Sequence, residues 1–314
     1  MLLFVLRRIG SGVGLLLAVS VGTFFLAHLA TPDPTALLLG ASATDAQRDA
    51  LALRIGTDRP LLVQLWDWLT HAIAGDFGTS WRSFQPVGAE LAIKVPVTLS
   101  VVALATILSA VFGAVFGLIS GLRPGSVVDR VLSWVSIVLY SLPGFWLSFV
   151  LVIWFAIDLA WFPAVGYVDP SVSVVGWLSS IALPAVSLAL GAIVMIAEQL
   201  RNAMVTNASR DYVRTLRSRG LSNGRVSVHL LRNSAPEALT ILAVLFVGLL
   251  SGAVVVESIF ALPGIGVLTN SASQTGDIPV VLGITVVSVV FVVVVNVLLD
   301  LALAWLNPKV RASL

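Results

Sequence analysis

Residues 286–299 read VVSVVFVVVVNVLL, and the fold turns on what such a run can be. Valine and the other β-branched residues favour strand in water. Strands of a membrane barrel alternate in polarity, however, and residues 289–295 do not. The run lies in an uncharged window, 278–299, and about 20 residues of helix cross a hydrocarbon core of about 30 Å. No water reaches the backbone there, so a spanning segment must bond its own N–H and C=O groups. The stretch is expected to be a helix against its propensity.

Five further windows share this character: 9–32, 95–122, 131–157, 170–197 and 238–256. The whole chain is 58% apolar with a mean hydropathy of +1.02. Only 11% of its residues are charged, against about 25% in a soluble protein. These numbers predict an all-α integral membrane protein with six transmembrane helices. LRRIG before the first window resembles the start of a secretory signal, but the apolar run from Ile9 to about Ala27 outlasts a signal core of about 7–15 residues. It is read as a retained first helix. With no cysteine, the chain has no disulfide, thiolate metal site or cysteine nucleophile.

Charge sets the orientation. Alternate gaps put thirteen of the eighteen Lys and Arg residues on the side of both termini and 201–237; Arg48, Arg54, Arg59, Arg82 and Lys94 fall on the other. Cytoplasmic loops carry the basic excess, so both termini are expected in the cytoplasm of a multi-pass membrane protein. The long connection 33–94 then lies outside. In it, Leu61, Leu65, Trp68, Leu69 and Ala72 form one helical stripe. Two readings stay open for it: a helix at the membrane interface, or packing against other external loops.

Residues 210–233, RDYVRTLRSRGLSNGRVSVHLLRN, hold six of the eighteen basic residues. A short helix is expected from Asp211 to Arg219, with the acid in its first turn and arginines in its last. Gly220 suits the left-handed position just after such a helix. Arg210, Arg214 and Arg217 share one face; Tyr212, Val213 and Leu216 fill another. Ser222-Asn223-Gly224 is turn chemistry, and a second short helix from about Arg225 would lead into the fifth span. Anchoring to anionic lipid explains a single arginine, but not an amphipathic element with an apolar face. A cytoplasmic protein partner explains both.

At this point the chain resembles the membrane permease subunits of binding-protein-dependent ABC importers, in the dipeptide/oligopeptide/nickel family. The likeness runs through LRRI near the start, RPLLVQLWDWL, GDFGTSW, PVTLS from Pro96, SLPGFW from Ser141 and FPAVGY from Phe162. It continues in LPAVSLAL from Leu183, DYVRTLRSRGLSNGRV with HLLRN, VVESIFALPGIG from Val255 and LLDLALAWLNPKVR. The resemblance implies a type I ABC importer permease fold: a first helix and external loop over 1–94, a five-helix core over 95–307 and a cytoplasmic tail, 308–314. It also implies that the "EAA" segment docks on a cytoplasmic ATPase through Tyr212, Arg214, Thr215, Leu216, Arg217, Arg219 and Gly220. Expected partners are a second homologous permease, two P-loop ATPases that bind the ATP and Mg, an extracytoplasmic solute-binding protein and the bilayer; nucleic acid is not among them. The chain departs from the family at Arg214 and Leu216, where the general motif has Glu and Ala. It departs also at Pro236-Glu237 and at TPDP, which lacks a glycine.

Chemistry of its own is not expected. There is no G-x-x-x-x-G-K-[ST], so no P-loop, and this chain is expected to hold no cofactor and no catalytic or metal site. His28, His71 and His229 are too scattered to form a ligand set. Glu198 and Arg201, at i and i+3, read as a structural pair. Asp158, Glu257 and Asp300 sit at span ends, which disfavours the rival class, an ion-coupled secondary transporter. Pro143 and Pro184, midway along the third and fourth windows, mark helix breaks; with Trp146 they are expected near the translocation pathway. Asn296 is a polar residue inside the sixth window, and Pro263-Gly264 an external turn suited to an outer gate. The expected cargo is a short peptide, with nickel chelates, glutathione or other small solutes as alternatives.

Overall fold

The structure is a computed structural model that describes residues 2–31, 33–40 and 42–306. Among these residues lie α1 (Leu2–Ala30), α2 (Pro34–Leu39), α3 (Asp45–Ile55), α4 (Leu61–Ile73), α5 (Val87–Leu122) and α6 (Val127–Ser141). Then follow α7 (Gly144–Leu151), continued by the π-helical turns Val152–Asp158, then α8 (Val174–Ala208) and α9 (Asp211–Ser218). The last are α10 (Asn223–Ile259), α11 (Ile265–Thr275) and α12 (Ile278–Leu306). The valine run lies inside α12, a continuous helix. The tail 308–314, with Lys309 and Arg311, falls outside the described residues.

Parts or all of α1, α5, α8, α10 and α12 are long and apolar enough to cross a membrane, and α6 with α7 and its π-helical turns makes a sixth span if the pair counts as one. That third window is not a straight rod: its two halves meet at 102°. Pro143 has no N–H to donate, and it drives Leu142 into extended geometry (φ −93, ψ 134). Pro143 then serves as N-cap of α7. Pro184, by contrast, is buried within an uninterrupted α8 and breaks nothing. α10 also differs from expectation. No separate short helix precedes the fifth span, because one 37-residue helix runs from Asn223 to Ile259 through Pro236.

The chain divides into two compact units. One contains residues 6–98 and 263–293. Phe24 of α1, Leu65 of α4, Trp81, Ile278 and Leu282 form a buried cluster there, with Trp68 and Leu69 packed against it. Thus Leu65, Trp68 and Leu69 of the 61–72 stripe pack inside the protein. The carboxylate of Asp277, 3% exposed, accepts from the Ser80 hydroxyl at 2.5 Å and from the backbone N–H groups of Trp81 and Arg82 at 3.1 and 3.4 Å. It pins the GDFGTSW segment to the start of α12. Asp33 caps α2, and the Thr35 hydroxyl and the Ala36 N–H hold its carboxyl below the usual carboxylate range.

Of the described residues, the other unit holds 2–5, 99–262 and 294–306. In it α5 crosses α8 closely. Gly113, Gly117 and Gly121, four apart, present bare backbone to Ile196, Ala197, Leu200 and Met204. A Cβ at Gly117 would stand 2.7 Å from the Ala197 carbonyl oxygen, so the two helices touch main chain to main chain. Between α8 and α10, the buried Asn207 amide donates to the Ser234 hydroxyl at 2.9 Å.

Candidate functional site

The basic segment is a hairpin on the ends of two long helices. α8 stops at Ser209, the chain turns, and α9 occupies Asp211–Ser218. Its end is a Schellman motif: the Gly220 N–H donates to Arg217 O at 2.9 Å and the Leu221 N–H to Leu216 O at 3.2 Å. Gly220 takes φ +75, a conformation that a side chain would strain. Ser222 then stands at the N-cap position of α10, with no hydrogen bond from its side chain to the helix end.

The faces of α9 correct one inference from the sequence. Val213 is 1% exposed, and Tyr212 and Leu216 are half-buried, all packed on Leu200, Met204, Val226 and Leu230. Much of the apolar face is therefore covered by α8 and α10 of the same chain. Burial of apolar area drives this packing wherever a neighbouring surface is in reach. What remains open is the polar face: Arg214, Thr215, Arg217, Arg219 and Gly220 are exposed, as is Arg210. Asp211 lies 3.8 Å from Arg214 with both side chains in solvent, a pair of little energetic weight. The outward surface is thus cationic, while Tyr212 and Leu216 hold it in place.

Beside the hairpin, Arg201 of α8 makes a bidentate pair with Asp129 of α6: Nε to Oδ1 at 2.5 Å and Nη2 to Oδ2 at 2.7 Å. Asp129 is 2% exposed and also accepts from the Gly125 N–H at 2.8 Å. The partner of Arg201 is therefore Asp129 and not Glu198, four-fifths of a turn away on its own helix. The fork matches a carboxylate presented across the helix crossing, a geometry that i, i+3 spacing does not offer. This pair ties the 123–126 turn to the root of the hairpin.

A cavity of about 820 Å³ opens among α5, α6, α8 and α10. Its polar lining includes Ser133, Ser136, Tyr140, Glu198, Gln199 and Asn202, against apolar walls such as Phe116 and Ile193. None of the six pathway residues named from sequence lines it. Pro143 and Trp146 are exposed at and just after the helix break, Pro184 is buried in α8, and Asn296 is half-buried in α12. Pro263 is exposed, and Gly264 is buried as N-cap of α11, whose first N–H, from Ile265, donates to Thr98 at 2.9 Å.

Five candidate spans, or six with the bent pair, thus carry a cationic hairpin and a cavity with polar side chains in its lining. Residues 113–312 match the family described as binding-protein-dependent transport system inner membrane component, and residues 1–102 match the N-terminal region of that membrane component. The chain belongs to this family of multi-pass inner-membrane proteins. It is 36% identical over 308 residues to a peptide transport system permease protein of Brucella abortus (strain 2308), covering 98% of each chain. It is 31% identical over 312 residues to the oligopeptide transport system permease protein AppB of Bacillus subtilis (strain 168), covering 98% of this chain and 99% of that one. A solved structure of the MetNI methionine ABC transporter in inward-facing conformations gives a TM-score of 0.49 at 18% identity, covering 68% of this chain and 95% of that chain.

Proposed function

We propose that this chain is a transmembrane permease subunit of an ATP-driven importer of short peptides, receiving its cargo from an extracytoplasmic solute-binding protein. The observation that carries the reading is end-to-end likeness to proteins named as peptide permeases, spanning the hairpin and the long 33–94 connection alike. The chain pairs with a second, similar permease, and two cytoplasmic ATPases bind ATP and Mg on its behalf. Both termini and the hairpin face the cytoplasm, in keeping with the basic excess on that side.

In this reading the exposed arginines of α9 meet the ATPase, and the buried side of α9 transmits its movement. Val213 and Leu216 are packed against α8 and α10, so a displacement of α9 reaches both spans as a rigid-body shift. Alternating access follows when the ATPase pair closes and reopens. The cavity beside α6 and α8, with its serine and amide lining, is the segment of pathway that a peptide backbone would traverse.

Gly220→Pro tests the lever. Proline cannot adopt φ +75 and cannot donate to Arg217 O, so the Schellman end is lost while the spans are untouched. Membrane insertion stays normal and ATP-dependent peptide uptake falls to background. Normal uptake by that variant would show the lever assignment wrong.

A further inference from the structure

The sequence marks one apolar stripe on α4; the structure shows that a second runs beside it. At about 100° per residue, Leu62, Trp66 and Ile73 fall within about 40° of one another. They are 70%, 69% and 83% exposed, while Leu65 is buried and Trp68 and Leu69 are half-buried. Around the axis α4 therefore has three sectors. One packs on the protein, the next is apolar and bare, and the third carries Gln64, Asp67, Thr70 and His71. Packing alone needs only the first sector. A helix lying flat against a bundle at a water–lipid boundary needs all three: flank on protein, underside in lipid, top in water.

The position of α4 agrees. Its packed residues meet Phe24, six residues before the end of α1, and Ile278 and Leu282, the first and fifth residues of α12. At about 1.5 Å per residue these contacts lie within roughly 10 Å of the ends of two spans. His28 of α1 also bridges to Gln64 of α4, Nε2 to Oε1 at 3.3 Å. Phe25, Leu26 and Leu29 of α1, on the same end, are exposed apolar side chains of a spanning helix and so face lipid. The bare sector of α4 adjoins that lipid-facing surface. Trp66 in its centre is the residue type that settles at headgroup level.

We propose that α4 is an interfacial helix whose Leu62, Trp66 and Ile73 enter the headgroup–acyl boundary of the bilayer, with the Asp67–His71 side in water. This holds whatever the chain transports. It places the long 33–94 connection on the membrane surface, braced against α1 and α12, instead of free above it.

Because the chain has no cysteine, single cysteines at 62, 66 and 73, with 70 and 71 as controls, can carry a nitroxide label in the full-length protein in lipid nanodiscs. The exposed positions tolerate substitution, and thermal melting of each labelled protein confirms folding. Relaxation of the label by dissolved oxygen, relative to that by a water-soluble nickel chelate, is expected to be several-fold higher at 62, 66 and 73 than at 70 and 71. A ratio at the stripe equal to that of the controls would place the stripe in water and overturn the proposal. So would protection of the stripe from both probes, which would mean that protein covers it.

Discussion

At Gly117 a missing side chain decides how two spans meet. Its would-be Cβ points at the carbonyl oxygen of Ala197, a backbone atom that cannot swing aside as a side-chain tip can. Gly117→Leu is expected to cost about 1–3 kcal/mol from overpacking and to lower the thermal midpoint of the purified protein by several degrees. Gly191→Ala is the control, since a Cβ there meets nothing within 4 Å, and its midpoint should stay or rise slightly. Equal melting of the two variants would mean that the glycine row does not hold the crossing. The three glycines at four-residue spacing are legible as a close-packing signal in a membrane helix. Gly220 was legible because its role is local: a basic helix end followed by glycine has one favoured geometry. The partner of Arg201 was not, since Asp129 lies 72 residues away and only the folded crossing brings them together.

At the scale of elements, α9 separates two roles that the sequence merges. Its inward face is structural and its outward face is the surface left for binding. Val213→Ala removes buried contacts and should destabilise the hairpin by about 2 kcal/mol, seen as faster amide exchange through α9. The charge-reversed pair Arg214→Glu with Arg217→Glu should leave that exchange unchanged, because both side chains are exposed, and yet prevent co-purification with the ATPase. Loss of protection in the charge-reversed variant would contradict the division of faces. Spans were readable from apolar runs, and the break at Pro143 from the absence of an amide donor. The size of the bend was not, because it depends on what α7 packs against. α11 was read only as a turn: LPGIG signals a reversal, whereas IGVLTNSASQT has no clean period to announce the helix after it.

For the molecule as a whole, what composition could not reveal is which helix faces look at each other. The cavity lining includes Ser133 and Ser136 on α6 and Gln199 and Asn202 on α8, ordinary polar residues that come together only because the two helices flank one space. The prolines and Asn296, exceptions in an apolar background, do not line this cavity. Class, by contrast, was fully legible, since lipid as solvent leaves a backbone with so few options. The decisive measurement is peptide accumulation in vesicles that carry this chain with its partner permease, ATPases and binding protein, against vesicles that carry this chain alone under an ion gradient. The account predicts ATP-dependent uptake of a labelled short peptide in the first and none in the second. Uptake by the chain alone, or complete-assembly uptake indifferent to ATP, would contradict it.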